Sequence, residues 1–296
     1  ANASKHKAMS DERMKKREAE LAAEVAGWLK AAEAADAQED KLYGDRRGDE
    51  MPDWVADKEK RLARIREAKA ALEAEARAAA AEEERRRAEA EEQRHAQGRK
   101  KSGRTPAPPR AEPDGKAQRN FTDPESRILK TKDGYIQGFN AQAAVDGTAQ
   151  IIVAHGLTQS TSDQDQLVPL LDQIEQNLGR KPNEASADAG YCSEANLQAL
   201  ADRRISPYLA TGRAKHPAEI KRKIGGPLTL AMRDKLKRAG WRSRYRLRKQ
   251  IVEPVFGQIK QARGFRQFLL RGIEKVRAEW ALICTAHNLT KLARAV

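Results

Sequence analysis

Residues 134–158 read GYIQGFNAQAAVDGTAQIIVAHGLT, and the folding of this stretch decides the class of everything after residue 120. The two halves, GYIQGFNAQAAVD and TAQIIVAHGLT, each alternate apolar and polar residues, the period of a half-buried strand. Asp146-Gly147 between them is a tight-turn signal, so the stretch is expected to form a β-hairpin. Working outward, Leu167, Leu170, Leu171, Ile174 and Leu178 fall at helical spacing and predict a helix over about 163–178 with those residues inward. PNEASADAGY (182–191) predicts a short strand ending at Asp188, with Ser193 capping a helix that buries Leu197 and Leu200. ISPYLAT (205–211) predicts an edge or bent strand, because Pro207 cannot donate to a ladder. The rest is helical and basic, ending in a helix over about 273–294 with Val276, Trp280, Ile283 and Leu292 inward. Strands alternating with helices make the region an α/β domain with a mixed sheet flanked by helices.

Upstream of residue 120 the character changes. Residues 11–38 place Leu21, Val25, Trp28 and Ala32 on one helical face. A second helix is expected from about Asp53 to 96, with Leu62, Ile65, Ala68, Leu72 and Ala76 on its apolar side. Gly44, Gly48 and Pro52 between them predict a turn, hence a long charged helical hairpin over residues 1–96. Residues 97–119 hold four prolines, three glycines and seven bases against two acids, the composition of a linker. The catalytic or binding domain would then occupy residues 120–296.

The chain carries 57 Lys+Arg against 43 Asp+Glu, a formal charge of +14. That balance suits a polyanionic partner, and double-stranded DNA is the expected one. Between Arg213 and Lys249 stand fourteen bases against only Glu219 and Asp234, a local excess that phosphate contact would use. No apolar run reaches the roughly 18 residues of a membrane helix, so a cytoplasmic location is expected. Cys192 and Cys284 cannot build a disulfide framework or a metal cluster and are read as packing residues. His155 and His287 lie in apolar stretches and are read as core or hydrogen-bonding residues.

YRLRKQIVEPVFGQIKQARG (245–264) keeps one carboxylate, Glu253, among Arg246, Arg248, Lys249, Lys260 and Arg263. Pro254 predicts a helix start near Ile251 with Glu253 at its N-terminal end. Val252, Val255, Phe256 and Ile259 would face inward, and Lys260 would share a side with Glu253 two turns on. Asp188, at the carboxyl end of a strand, stands where α/β sheets place their sites. Two carboxylates in a basic surround form an oxygen cradle for Mg2+ at a phosphodiester.

ADAGY around Asp188 and YRLRKQIVEPVFGQIK resemble the second-aspartate and glutamate motifs of the DDE transposases of bacterial insertion sequences. The second stretch is similar to their Tyr-x2-Arg-x3-Glu-x6-Lys signature, here Tyr245, Arg248, Glu253 and Lys260, with four residues rather than three between Arg248 and Glu253. FTDPESRILK, GFNAQAAVD and WALICTAHNLTKLAR also resemble this family. The resemblance implies an RNase H-like fold, with Asp188 and Glu253 as catalytic metal ligands for two Mg2+ or Mn2+ ions. It further implies that Lys260, Arg248 and Tyr245 contact DNA, that the DNA is element ends and target, and that the protein pairs as a homodimer in a synaptic complex at the bacterial nucleoid. Residues 1–10, ANASKHKAMS, resemble the stretch that follows the family's first catalytic aspartate. The chain is therefore expected to be a C-terminal fragment, weak or inactive alone. It would lack the first central strand and show a gap between the hairpin and the strand ending in Asp188. Asp146 and Asp123 are substitutes for the missing aspartate only if their turn roles allow it. Two rival readings remain open at this point, a non-catalytic DNA-binding remnant and a structural protein dimerising through residues 11–96.

Overall fold

The computed structural model describes residues 8–43, 53–98, 107–131, 134–212, 225–239 and 244–295, in two compact units, one over Ser4–Pro124 and one containing Glu125–Val296. In the first unit, α1 (Asp11–Tyr43) and α2 (Asp53–Ala96) form the expected pair. Met14 and Leu21 of α1 meet Leu62, Ile65, Ala68 and Leu72 of α2 in a narrow apolar seam. Along its rim Arg66 and Lys69 reach Glu18 at 3.2 and 3.1 Å, exposed pairs of the kind worth about 0–1 kcal/mol each. Strand β1 (Ala8–Ser10) pairs antiparallel with β2 (Gln118–Asn120). The chain leading away from α2 therefore returns to its start, and the unit extends to Pro124. The turn expected at Gly44, Gly48 and Pro52 and the side chain of Ala32 lie outside the described residues.

The second unit is mixed α/β. Its strands are β3 (Arg127–Thr131), β4 (Gly134–Gly138), β5 (Asn140–Val145), β6 (Ile152–Thr158), β7 (Glu184–Ala187) and β8 (Ser206–Leu209). Its helices are α3 (Leu167–Leu178), α4 (Glu194–Asp202), α5 (Pro227–Ala239), α6 (Arg248–Gly257) and α7 (Ile273–Ala295). The strands pair two by two: β3 with β4 and β5 with β6 antiparallel, β7 with β8 parallel. The expected hairpin is thus confined to 140–158, and GYIQG pairs instead with residues 127–131. Asp146 holds the turn between β5 and β6 by accepting from the amides of Thr148 and Ala149.

Both faces of the β5–β6 hairpin are covered. Ala154 belongs to a core with Leu167, Leu170, Leu171 and Ile174 of α3. Phe139, Ile152 and Leu157 belong to a second core with Val255 of α6 and Val276, Trp280 and Ile283 of α7. Ile152 and Ala154 would share a face in a regular strand. They separate because the register skips Val153 opposite Val145, a bulge that turns the strand. β7 and β8 lean on the first core through Ala185, Ala187 and Leu209, closed by Leu197 and Leu200 of α4 and Met232 of α5. Pro207 sits in β8, whose one partner among the described residues is β7, where its missing donor is tolerated.

Three sequence expectations are corrected here. Leu178 is exposed, because α3 ends there on the left-handed Gly179 cap. Leu292 is also exposed, since by the last turn of α7 its helical phase has carried it off the core. Pro254 lies in the interior of α6, which begins at Arg248 behind a 3-10 turn over Arg244–Leu247, so Glu253 is not at a helix N-terminus. The carbonyl that a non-proline residue 254 would satisfy is that of Gln250, and the Gln150 side-chain amide donates to it at 2.8 Å. With that partner in place the helix can continue through proline.

Candidate active site

β7 delivers Asp188 in an extended conformation as the cap of a single 3-10 turn, Ala189–Tyr191, where its Oδ1 accepts from the Gly190 amide at 3.1 Å. Gly190 has no room for a side chain, because a Cβ there would lie 2.6 Å from Asp163 Oδ2. Behind the turn runs a polar network. The Tyr191 hydroxyl donates to Gln142 Oε1 on β5. The Gln142 amide donates to Asp163 Oδ1 at 2.8 Å and to Asn140 Oδ1 at 2.9 Å, and the Asn140 amide donates to Asp163 Oδ1 at 2.7 Å. Asn196, its own amide bound by the Ser193 cap, donates from its side chain to the Tyr191 and Gln164 carbonyls at 2.7 Å each. Burial, and then the charges of Asp163 and Asp188, push the Tyr191 phenol well above its ordinary range, so it stays a donor.

Glu253 arrives from α6. Its carboxylate accepts from Arg248 Nη2 at 3.3 Å, and the same guanidinium places Nη1 3.9 Å from Asp188 Oδ2. Arg248 therefore stands between two carboxylates from distant parts of the chain. Its side chain is 21% exposed against 49% for Asp188 and 51% for Glu253. The arginine is held and the acids face solvent. Its Nε is buried without a hydrogen-bond partner, and its guanidinium carbon lies 5.6 Å from the centre of the Tyr245 ring. Lys260 takes a different position. After Gly257 the helix widens into a π turn, Gln258–Ala262, and Lys260 Nζ lies 5.7 Å over the Phe256 ring. The π turn breaks the even spacing that would have set Lys260 two regular turns from Glu253.

Asp188, Arg248 and Glu253 line one cavity of about 700 Å3. Its walls include Ala143, Ala144 and Val145 in succession on β5 and all four residues of β7. Successive residues of a strand point to opposite faces, so β7, all of whose residues line the cavity, meets it edge-on. The cavity runs along β5 and β7, which among the described residues pair only with β6 and β8 respectively. Asp146 also lines it, with Oδ2 engaged by its own turn. Asp123 belongs to the other compact unit. Asp163 is the acidic residue that sequence reading missed. Lying in TSDQDQ before a helix, it carried only the signal of a helix start.

The family model described as Transposase DDE domain matches residues 110–289. The chain belongs to the transposase DDE domain family. No curated protein and no solved structure matches it. The match spans the whole cavity and all five residues singled out in the sequence, and it assigns a transposase-type function. DDE domains generally use divalent metal ions. Among the described residues no group of three or more His, Cys, Asp or Glu side chains is placed to hold one. Asp188 and Glu253 are the right donors in kind, hard oxygens open to solvent, and Mg2+ commonly takes one or two carboxylates together with substrate phosphates. No described helix is long and apolar enough to cross a membrane.

Proposed function

We propose that this chain carries the catalytic domain of an insertion-sequence transposase that cleaves and joins DNA strands. The observation that carries this reading is the convergence of Asp188 and Glu253 on one cavity, held around the Arg248 guanidinium. Asp188 and Glu253 would hold Mg2+ or Mn2+. When bound, such ions supply an activated water and charge neutralisation at the scissile phosphate. Water adds to phosphorus at the element end and the 3′-oxygen leaves as a free hydroxyl. That hydroxyl then attacks a target phosphodiester, displacing the target's own 3′-oxygen. Arg248 would supply a cation beside the scissile phosphate and stabilise the charge that develops there. Tyr245 keeps the guanidinium plane in place, and Lys260 contacts the backbone of the DNA farther along α6.

Two carboxylates leave this site one ligand short. We infer that an extended segment bearing the third acid enters the slot between β5 and β7, pairing with both free edges as a central strand. Without that segment the chain binds DNA and cleaves it weakly or not at all. The test is Mn2+- and Mg2+-dependent nicking of supercoiled DNA by the chain, with Asp188→Asn and Glu253→Gln as controls, beside a salt-dependent DNA-binding titration. Binding without nicking is the expected result. Nicking abolished by both substitutions would overturn the incomplete site, and absence of DNA binding would overturn the transposase role itself.

A further inference from the structure

The two oxygens of Asp188 are not equivalent. Oδ1 is occupied by the Gly190 amide at 3.1 Å, and Oδ2 is the oxygen that faces Arg248. Which oxygen reaches the cavity therefore depends on how the Ala189–Tyr191 turn is set. That turn holds itself weakly. Its two backbone bonds, from the Tyr191 amide to the Asp188 carbonyl and from the Cys192 amide to the Ala189 carbonyl, are both 3.3 Å long, just beyond the usual range for an amide donor. The strand that leads into it has a single partner among the described residues.

Support comes from outside the turn, through Tyr191, whose hydroxyl reaches β5 and donates to Gln142 Oε1. Gln142 is 2% exposed, and its amide can stand only one way round. Nε2 has two hydrogens with an acceptor for each, Asn140 Oδ1 at 2.9 Å and Asp163 Oδ1 at 2.8 Å. Turned over, the amide would set its own oxygen against those two. Oε1 is thus committed to the Tyr191 hydroxyl. The main chain of Gln142 is fixed as well, since its carbonyl accepts from the Trp280 indole at 3.0 Å. On its other side the turn lies directly against Asp163, whose Oδ2 would be 2.6 Å from a Cβ on Gly190. A line of contacts therefore runs from the Trp280 core through Gln142 and Tyr191 to the turn that carries Asp188. Gln142 itself bonds to neither Asp188 nor Glu253.

We propose that Tyr191 and Gln142 are positioning residues for Asp188: their hydrogen bond sets the turn so that Oδ1 stays with the Gly190 amide and Oδ2 is presented to a divalent cation. This role rests on the metal site of the proposed function. A carboxylate held in one orientation loses less freedom on binding a cation than a mobile one, and outer partners of this kind typically change metal affinity by about 10–100-fold.

Tyr191→Phe deletes the hydroxyl and keeps the ring, so two measurements on the full, metal-free chain can follow the bond. Hydrogen exchange at the Gly190 amide should speed up by roughly tenfold, with the amides of β6 unchanged. Titration with MnCl2, followed by water-proton relaxation well below the melting midpoint of both chains, should show Mn2+ bound about tenfold more weakly. Adding Tyr191→Phe to Gln142→Met should weaken it no further, because the acceptor is already gone. A lowered melt with unchanged Mn2+ affinity would overturn the proposal and reduce the bond to a stabilising contact. Unchanged exchange at Gly190 would overturn it as well, since the turn would then stand without Tyr191. Mn2+ binding indifferent to Asp188→Asn would instead overturn the metal site of the proposed function, and exchange at Gly190 would still decide whether Tyr191 sets the turn.

Discussion

The two walls of the cavity lined by Asp188, Arg248 and Glu253 are built differently. The wall that carries Arg248 and Glu253 rests on the β5–β6 hairpin, which has apolar helices on both faces, α3 on one and α6 with α7 on the other. At its centre Trp280 lies stacked on Phe256 at 6.2 Å and edge-on to Phe268 at 6.2 Å, with its indole N–H donating to the Gln142 carbonyl at 3.0 Å. The wall that carries Asp188 is a parallel pair of four-residue strands covered on one face. Glu184 and Ser186 point to solvent and Ala185 and Ala187 inward. A two-stranded sheet is marginal by itself, and parallel pairing is slightly weaker than antiparallel. The difference teaches that the two acids are not equally fixed. Glu253 is positioned by a core, whereas Asp188 is positioned by a turn, its polar network and whatever fills the slot beside β7.

The largest effect should come from the stronger wall. Trp280 is 3% exposed, and Trp280→Ala should cost about 3–5 kcal/mol, roughly 6–20 °C in the melting midpoint for a unit of this size. Leu200 is fully buried on the other side, and Leu200→Ala should cost about 2–5 kcal/mol. Hydrogen exchange sharpens the contrast, since amides of β6 should be protected at least about tenfold more strongly than those of β7. Equal protection in the two strands would erase the distinction between the walls.

Gln150 comes next. It sits in the left-handed region, with φ at 57°. It donates to the Gln250 carbonyl opposite Pro254 and accepts from Lys291 through its side chain, and its own carbonyl meets His287 Nε2 at 2.9 Å. Gln150→Ala removes the two side-chain bonds and leaves the Gln250 carbonyl without its donor, for an expected loss of about 1–3 kcal/mol in urea unfolding. Gln150→Gly should lose less, because glycine relieves the backbone conformation while removing the same bonds. The reverse order would mean that the contacts to α6 and α7 do not matter to the stronger wall.

The pattern of what sequence could reveal follows the same division. Periodicity located α3, α4 and α7 and the hairpin, because each has one face that must be buried and the spacing of its apolar residues records that face. It misjudged Leu178 and Leu292, where a helix outruns its core, since the spacing continues after the partner has ended. The reading of Pro254 as a helix start failed for a tertiary reason. The donor that rescues the helix is Gln150, far away in sequence and in a loop. Asp188 and Glu253 were singled out by their motifs, and both line the one cavity. Arg248 as a bridge between them was not, and neither were Asp163 and Gln142 behind Asp188, because short polar residues in loops carry no periodic signal. The cavity along β5 and β7 has no counterpart in the periodicity either. Nothing in the alternation of 140–145 or 184–187 says which edge will remain unpaired.

His287 offers a smaller effect whose direction is fixed. It is fully buried, with Nδ1 lacking a hydrogen-bond partner. Burial, reinforced by the charges of Arg263 and Lys291 and opposed by the bond to Gln150, lowers its pKa from the ordinary 6.5. The unfolded chain therefore takes up a proton at a pH where the folded chain still resists it. The contribution is fully present above pH 6.5 and is lost as the pH falls toward the lowered folded value. Urea midpoints measured from pH 8 to 5 should fall on the acid side, with part of that slope absent in His287→Phe. An unchanged slope would locate the acid sensitivity in other groups.

The smallest expected effect bears most directly on the site. Arg248 stands 3.9 and 3.3 Å from Asp188 and Glu253, where under the proposed function a divalent ion would place its own charge. The two cations compete for the same oxygens. Because both acids are about half exposed, solvent screens the interaction, and the competition is worth about 1 kcal/mol. Arg248→Gln should therefore bind Mn2+ roughly five- to tenfold more tightly than the parent chain in the absence of DNA. The same variant should bind DNA more weakly, since the phosphate loses the guanidinium that α6 holds ready for it. Calorimetric Mn2+ titration of the free chain separates two roles for the arginine. Tighter binding in the variant marks Arg248 as a stand-in for the metal's charge, which leaves for the phosphate when the site is loaded. Weaker binding would instead make it the strut that keeps the acid of the softer wall within reach of the acid on the stronger one.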